Sequence, residues 1–334
     1  MKNKANKNFQ ILHEKFGGQQ LLKLFNSKTG ESVGLLPETG GMLHSLNLLI
    51  GGKIVSVLDC YSNEAELKQE LRNSFKGSNL FPFPNRIAGG KYEFNSKKYQ
   101  LPVNFPQENN SIHGLVFDKP FKIVESKTSD RKVNVKLRFD SNGNLPGYHF
   151  SFKLEAEFVL DESGLKVTAI ATNTDSVMIP IGIGWHPYFQ LQSKVDNLIL
   201  SFQSERLYKV NDKMIPTGEN LGYSEFQKPK EVKDMNFDTC FDLSNGEGKS
   251  IVTIFDPVLR GGLSIWQETG KEKLNFLQIY TPPTRKTIAI EPMTCLPDAF
   301  NNKTGLISLQ PGKTASVSWG VTVLSKAKRK KIIH

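Results

Sequence analysis

At 334 residues, with 38% hydrophobic and 23% charged residues, the chain is long enough to bury a large core and has the composition of an ordinary soluble globular protein. No apolar run approaches the roughly 20 residues a membrane-spanning helix needs. The start, MKNKANKNFQILHEKFGG, has no apolar segment behind its basic residues, so neither a span nor a secretory leader is expected. The net charge of +10 hints at a polyanion partner, but Lys326, Lys328, Arg329, Lys330 and Lys331 carry +5 at one end and Lys2, Lys4 and Lys7 carry +3 at the other. Basic tails of this kind are usually solvated, and the body between them is nearly balanced, so no nucleic-acid or membrane partner is expected. Cys60, Cys240 and Cys295 are odd in number and lack a CxxC spacing. That fits neither a disulfide framework nor a zinc signature, and it suits a reducing cytoplasm. No linker divides the chain, so residues 1–325 are expected to form one domain, with 326–334 as a basic tail.

In chain order, residues 9–58 carry short apolar runs broken by turn residues. Met42–Ile50 and Ile54–Leu58, separated by Gly51-Gly52, read as a hairpin. Residues 63–76 read as the one clear helix. Asn63 with Glu66 is a capping-box pattern, Leu67, Leu71 and Phe75 share a face, and Gly77 supplies a stop. From 121 to 184 apolar residues alternate with polar ones, as in Lys132–Phe139, Phe150–Leu160 and Leu165–Ala171. Further strand candidates are Leu198–Phe202, Ile251–Phe255, Gly262–Trp266, Phe276–Tyr280, Thr287–Ile290, Gly305–Leu309 and Ala315–Leu324. Such a series argues an all-β chain with antiparallel sheets buried on one face. A GxGxxG after a strand and a P-loop are both absent from the sequence, which argues against the usual nucleotide-binding architectures.

Five ionisable residues stand at strand ends or loops beside aromatics. Arg86 follows Asn85 in FPFPNRIAGGKYEF, and His113 precedes Gly114 in NNSIHGLVFDKPF. His186 lies in IGIGWHPYFQL, where Gly182 and Gly184 suggest a close approach to the backbone. Asp238 lies in NFDTCFDL, and Glu291 ends the apolar run of TIAIEP, with Pro292 expected to stop the ladder. Each alone reads equally well as a structural or solvated residue. Together they offer two imidazoles, two carboxylates and a guanidinium, which is the equipment of acid–base chemistry on a polyhydroxyl ligand.

The segments PNRIAGGKYEF, SIHGLVFDKPF, HPYFQL, IPTGE, NFDTCF and IAIEP together resemble the aldose 1-epimerase (galactose mutarotase) family. The resemblance implies a large antiparallel β-sandwich and interconversion of the α and β anomers of a hexose such as galactose or glucose. It implies His186 as the acid that protonates the ring oxygen and Glu291 as the base for the anomeric hydroxyl. His113 would assist, and Arg86, Asn85 and Asp238 would bind sugar hydroxyls. One departure is Thr239, which follows Asp238 where better-known members commonly carry a histidine. Ring opening needs two proton transfers and no electron sink, so no cofactor and no metal are expected. A small-molecule sugar is the expected partner, on a monomer or weak dimer. The alternatives are a hexose-6-phosphate 1-epimerase, which would add basic residues around the cleft, and a non-catalytic sugar-binding module. The five residues are expected to meet in an open cleft lined by Trp185, Tyr188 or an aromatic near Phe81. A gap of roughly 6–8 Å between His186 and Glu291 is expected, by analogy with carboxyl pairs that act across a sugar ring.

Overall fold

The structure is a computed structural model that describes residues 7–244, 246–325, 327 and 332. Most of the basic tail, and Lys2 and Lys4, lie outside the described residues.

The alternating segments form the expected antiparallel strands. Lys132–Asn142, Ser151–Asp161 and Gly164–Asn173 pair in sequence order, and Thr314–Val323 then joins them to Gly261–Thr269 and Gly248–Asp256 in a nine-stranded sheet. Along Ser151–Asp161 every second residue is buried, as the period of two requires. A second sheet of eight strands has Asp238–Asp242, Phe276–Tyr280 and Ile288–Met293 as consecutive neighbours. The two sheets meet face to face. Trp185 of the second packs against Phe158 and Trp319 of the first, with ring centroids 5.5 and 5.7 Å apart. A third sheet of five sequential strands, Phe9–Phe16 to Lys53–Ser56, extends the sandwich. Its last hairpin turns at Gly51 and Gly52, both at positive φ, which matches the twist of the flanking strands. The antiparallel sheets are those the alternation predicts, and their face-to-face packing is the β-sandwich the resemblance implies. Among the described residues no helix is long and apolar enough to cross a membrane.

The helix runs over Glu64–Ser74, with the Asn63 side chain accepting from the Glu66 N–H. It ends before Gly77, because Phe75 itself takes the left-handed conformation at φ 50°. That early ending turns the Phe75 ring out of the helix and against His113, 4.7 Å between centroids. Cys60, Cys240 and Cys295 are free thiols, and Cys295 is fully buried as a small core residue.

Candidate active site

Glu291 sits in the middle of a sheet, not at the end of a ladder. The strand Ile288–Met293 continues through Pro292, and Met293 pairs with Phe276 on one side and Gly184 on the other. The pairs on either side thus continue the ladder past the N–H that proline lacks. Directly opposite Glu291 lies Gln278, and beyond it comes the strand that begins at Asp238. Cross-strand neighbours share a face, so this register sets three polar side chains side by side. Gln278 Nε2 donates to Asp238 Oδ1 at 2.7 Å.

His186 occupies a break between two short strands. Trp185 pairs with Asn79, whereas Tyr188 pairs with Ala289. Pro187 makes the switch by disfavouring helical backbone at His186. The break is pinned, since the His186 N–H donates to the Ser78 carbonyl (3.1 Å) and its carbonyl accepts from the Gly77 N–H (2.8 Å). Trp185 Nε1 donates to the Gly77 carbonyl (2.8 Å), so Trp185 belongs to the core and Tyr188 to the cleft wall. Gly184 meets the expected close approach, because a Cβ there would lie 2.7 Å from Pro84 Cβ.

His113 follows the strand Asn110–Ile112, where the sequence suggests only a loop. Its φ is 61°, and Asn85 stands at φ 56°. The two residues lock each other. The His113 N–H donates to the Asn85 carbonyl (2.9 Å), and the Asn85 N–H donates to His113 Nδ1 (3.3 Å). The neutral ring therefore carries its proton on Nε2. His113 lies 4.9 Å from His186, edge to face, and His186 stacks on Tyr188 at 4.8 Å and 14°.

Arg86 is not a solvated turn residue. It opens the strand Arg86–Ala88, paired with Ile112, and is buried. Its Nε and Nη2 donate to both oxygens of Glu108, at 2.5 and 3.1 Å, and Nη1 donates to Asn85 Oδ1 at 3.2 Å. Asp238 Oδ2 stands 3.9 Å from Nη2.

These residues converge. Asn85, Arg86, His113, His186, Asp238 and Glu291 line one open cleft of about 230 Å³. Sequence reasoning missed Glu108, Gln278, Tyr280, Phe105 and Asn73, which line it too. Gln278 had a signal, as the polar residue interrupting the apolar strand FLQIY. Glu108 had none, because its partner Arg86 lies across a loop.

The expected 6–8 Å gap between acid and base is wrong. His186 Nε2 lies 3.5 Å from Glu291 Oε1. This is longer than a good N–H···O bond, and the pair forms the wall of a cleft, not a closed core. The glycosidase analogy fails for a geometric reason. There the two groups work across the sugar ring, whereas here His186 and Glu291 stand side by side on one cleft wall.

Burial governs the charges. Desolvation pushes the Glu291 carboxyl well up, Asp238 adds to this and Arg86 opposes it. Desolvation lowers the His186 imidazole to about 3, with Arg86 also lowering it. His113 is held well below the usual range by desolvation first, then by His186 and Arg86. At neutral pH both imidazoles are thus neutral, and Glu291 is the group pushed toward its protonated form. His186 Nδ1 and Glu291 Oε2 are buried without a hydrogen-bond partner. His113, His186 and Glu291 also bring ligand atoms within 4.8 Å of one another, and they are the set a divalent cation would use.

The fold is thus an antiparallel β-sandwich with a buried imidazole–carboxyl pair in a polar cleft. The family model for aldose 1-epimerase matches residues 27–321, and the chain belongs to that family. Among curated relatives, the uncharacterized protein YihR of Escherichia coli K12 is 27% identical over 299 residues, covering 85% of this chain and 91% of that one. The galactose mutarotase of Homo sapiens is 28% identical over 162 residues, covering 46% and 45%. A solved galactose mutarotase-like protein from Clostridium acetobutylicum superposes with a TM-score of 0.82 at 22% identity, covering 96% of this chain and all of its own.

Proposed function

We propose that this chain is an aldose 1-epimerase that opens and recloses the ring of an uncharged hexose. The observation that carries the reading is the 3.5 Å approach of His186 to Glu291 at the wall of a cleft whose other polar groups suit hydroxyls. His186 gives a proton to the ring oxygen and Glu291 takes one from the anomeric hydroxyl. The aldehyde turns about C1–C2, and the reverse transfers close the ring. The pair holds one proton between them. Burial favours keeping it on Glu291 in the free protein, and sugar hydroxyls beside the carboxylate favour its ionised form, moving the proton to His186. His113 Nε2–H, Arg86, Asn85 and Asp238 hold the sugar.

Arg86 is the sole cationic side chain among the lining residues, which also include Glu108, Asp238 and Glu291. That balance favours a free sugar over a sugar phosphate, which wants several basic groups. Polarimetry on fresh α-galactose, α-glucose and glucose 6-phosphate is the test. Faster mutarotation of at least one free hexose is the expected result, and no acceleration of any aldose would end the reading.

The shared proton also fixes the pH profile. For kcat/KM, which reports the free protein, the one-proton form of the pair persists from about 3, where His186 gains a second proton, up to the raised value of Glu291. Activity above the spontaneous rate should therefore persist well below the ordinary imidazole range and fall on the alkaline side only past the raised value of Glu291. An acid limb centred on about 6.5 would show instead that His186 titrates as an ordinary imidazole.

A further inference from the structure

We propose that Glu108 is a positioning residue that makes the cleft selective for uncharged sugars, an inference that rests on the reading above. Arg86 is the group in this cleft able to clamp an anion. A guanidinium grips a carboxylate or phosphate through two parallel N–H donors on one edge. Glu108 already occupies such an edge, accepting from Nε at 2.5 Å and from Nη2 at 3.1 Å. Asn85 Oδ1 takes an Nη1 donor. What remains is one hydrogen each on Nη1 and Nη2, on a guanidinium whose charge Glu108 already neutralises, which suits neutral hydroxyls better than an anion. Asp238, 3.9 Å from Nη2, adds a second negative charge on the open side.

Glu108 is held for this task. Phe105 and Asn110 exchange backbone hydrogen bonds at 3.1 Å, closing a tight loop in which Asn109 stands at φ 57°. Asn110 Nδ2 reaches both Glu108 Oε2 (3.4 Å) and the Lys213 carbonyl (2.8 Å), tying the loop to the turn at 211–215. The Phe105 ring lies under the guanidinium, 5.9 Å from its centre. Arg86 is thus fixed on three sides before any sugar arrives, its charge already neutralised by the protein itself.

The variant Glu108→Gln keeps the shape of the side chain and removes its charge. Inorganic phosphate is the probe, followed by calorimetric titration of the protein and, separately, as an inhibitor of hexose mutarotation. The wild type should bind phosphate weakly or not at all. Glu108→Gln should bind it at least about tenfold more tightly, in the range of one charge-assisted contact. Its kcat/KM for galacturonate relative to galactose should rise by a similar factor. A folded Glu108→Gln protein with unchanged phosphate affinity and an unchanged galacturonate ratio would overturn the proposal. So would a wild type that itself binds phosphate tightly, a result that needs no variant to fold. The titration is read without turnover. If phosphate affinity rises but no aldose is turned over, the epimerase reading fails while the charge selection by Glu108 stands.

Discussion

His186→Gln and Glu291→Gln are each expected to lower kcat/KM for hexose mutarotation by about 10²- to 10⁴-fold, the range of one positioned acid or base. Each group handles one proton of a two-proton exchange, so neither can stand in for the other. Glutamine matches the shape of glutamate and can neither accept nor deliver the proton. The loss should fall mainly on kcat, since Arg86, Asn85, Asp238 and His113 still line the cleft. The fold should survive. Both side chains are buried with unpartnered atoms, His186 Nδ1 and Glu291 Oε2, so a glutamine of similar volume costs little packing or bonding. Polarimetry paired with a thermal melt checks this. A variant that keeps near-wild-type rates would remove that residue from the mechanism.

Gly114→Ala is expected to destabilise the protein by roughly 2–5 kcal/mol, combining backbone strain with overpacking. Gly114 stands at φ 76°, and a Cβ there would lie 2.2 Å from the Phe81 carbonyl oxygen and 2.5 Å from its carbon. Those atoms are backbone and cannot step aside. The Phe81 carbonyl also accepts from the Leu115 N–H at 2.8 Å, so relief at Gly114 breaks that contact. His113 is the adjacent residue, held between Phe75 and His186, and its ring should shift with the backbone. Activity should therefore fall in the fraction that still folds. Gly89→Ala is the control. Gly89 has φ 59°, and a Cβ added there would meet nothing within 4 Å, so only a conformational cost of about 1 kcal/mol applies. Equal denaturation midpoints for the two variants would refute the steric argument.

Much of this site was legible in the chain itself. Alternation every second residue over Lys132–Asn142, Ser151–Asp161 and Gly164–Asn173 determines which face of each strand is buried, because a one-residue slip would expose the whole apolar set. Gly51-Gly52 determines a hairpin, because both residues must turn through positive φ. The motifs around Arg86, His113, His186, Asp238 and Glu291 named the residues that share the cleft. The helix boundary was less legible, because Phe75 takes a left-handed conformation that its own side chain does not favour and that its contact with His113 accompanies.

Distances, charges and unexpected partners belong to the tertiary structure. His186 stands 3.5 Å from Glu291 because Tyr188 pairs with Ala289 while Trp185 pairs with Asn79. That register between segments remote in the chain leaves no trace in either segment. The direction of each protonation shift follows from burial of the pair, which depends on the sheets packed around it. Glu108 reaches Arg86 through a loop closed by Phe105 and Asn110, and a lone glutamate in QENNSI carries no periodicity or motif that would single it out. Local pattern fixes which residues face inward, since alternation and turn chemistry act over a few residues. Which inward residues touch is decided only when distant strands choose their register.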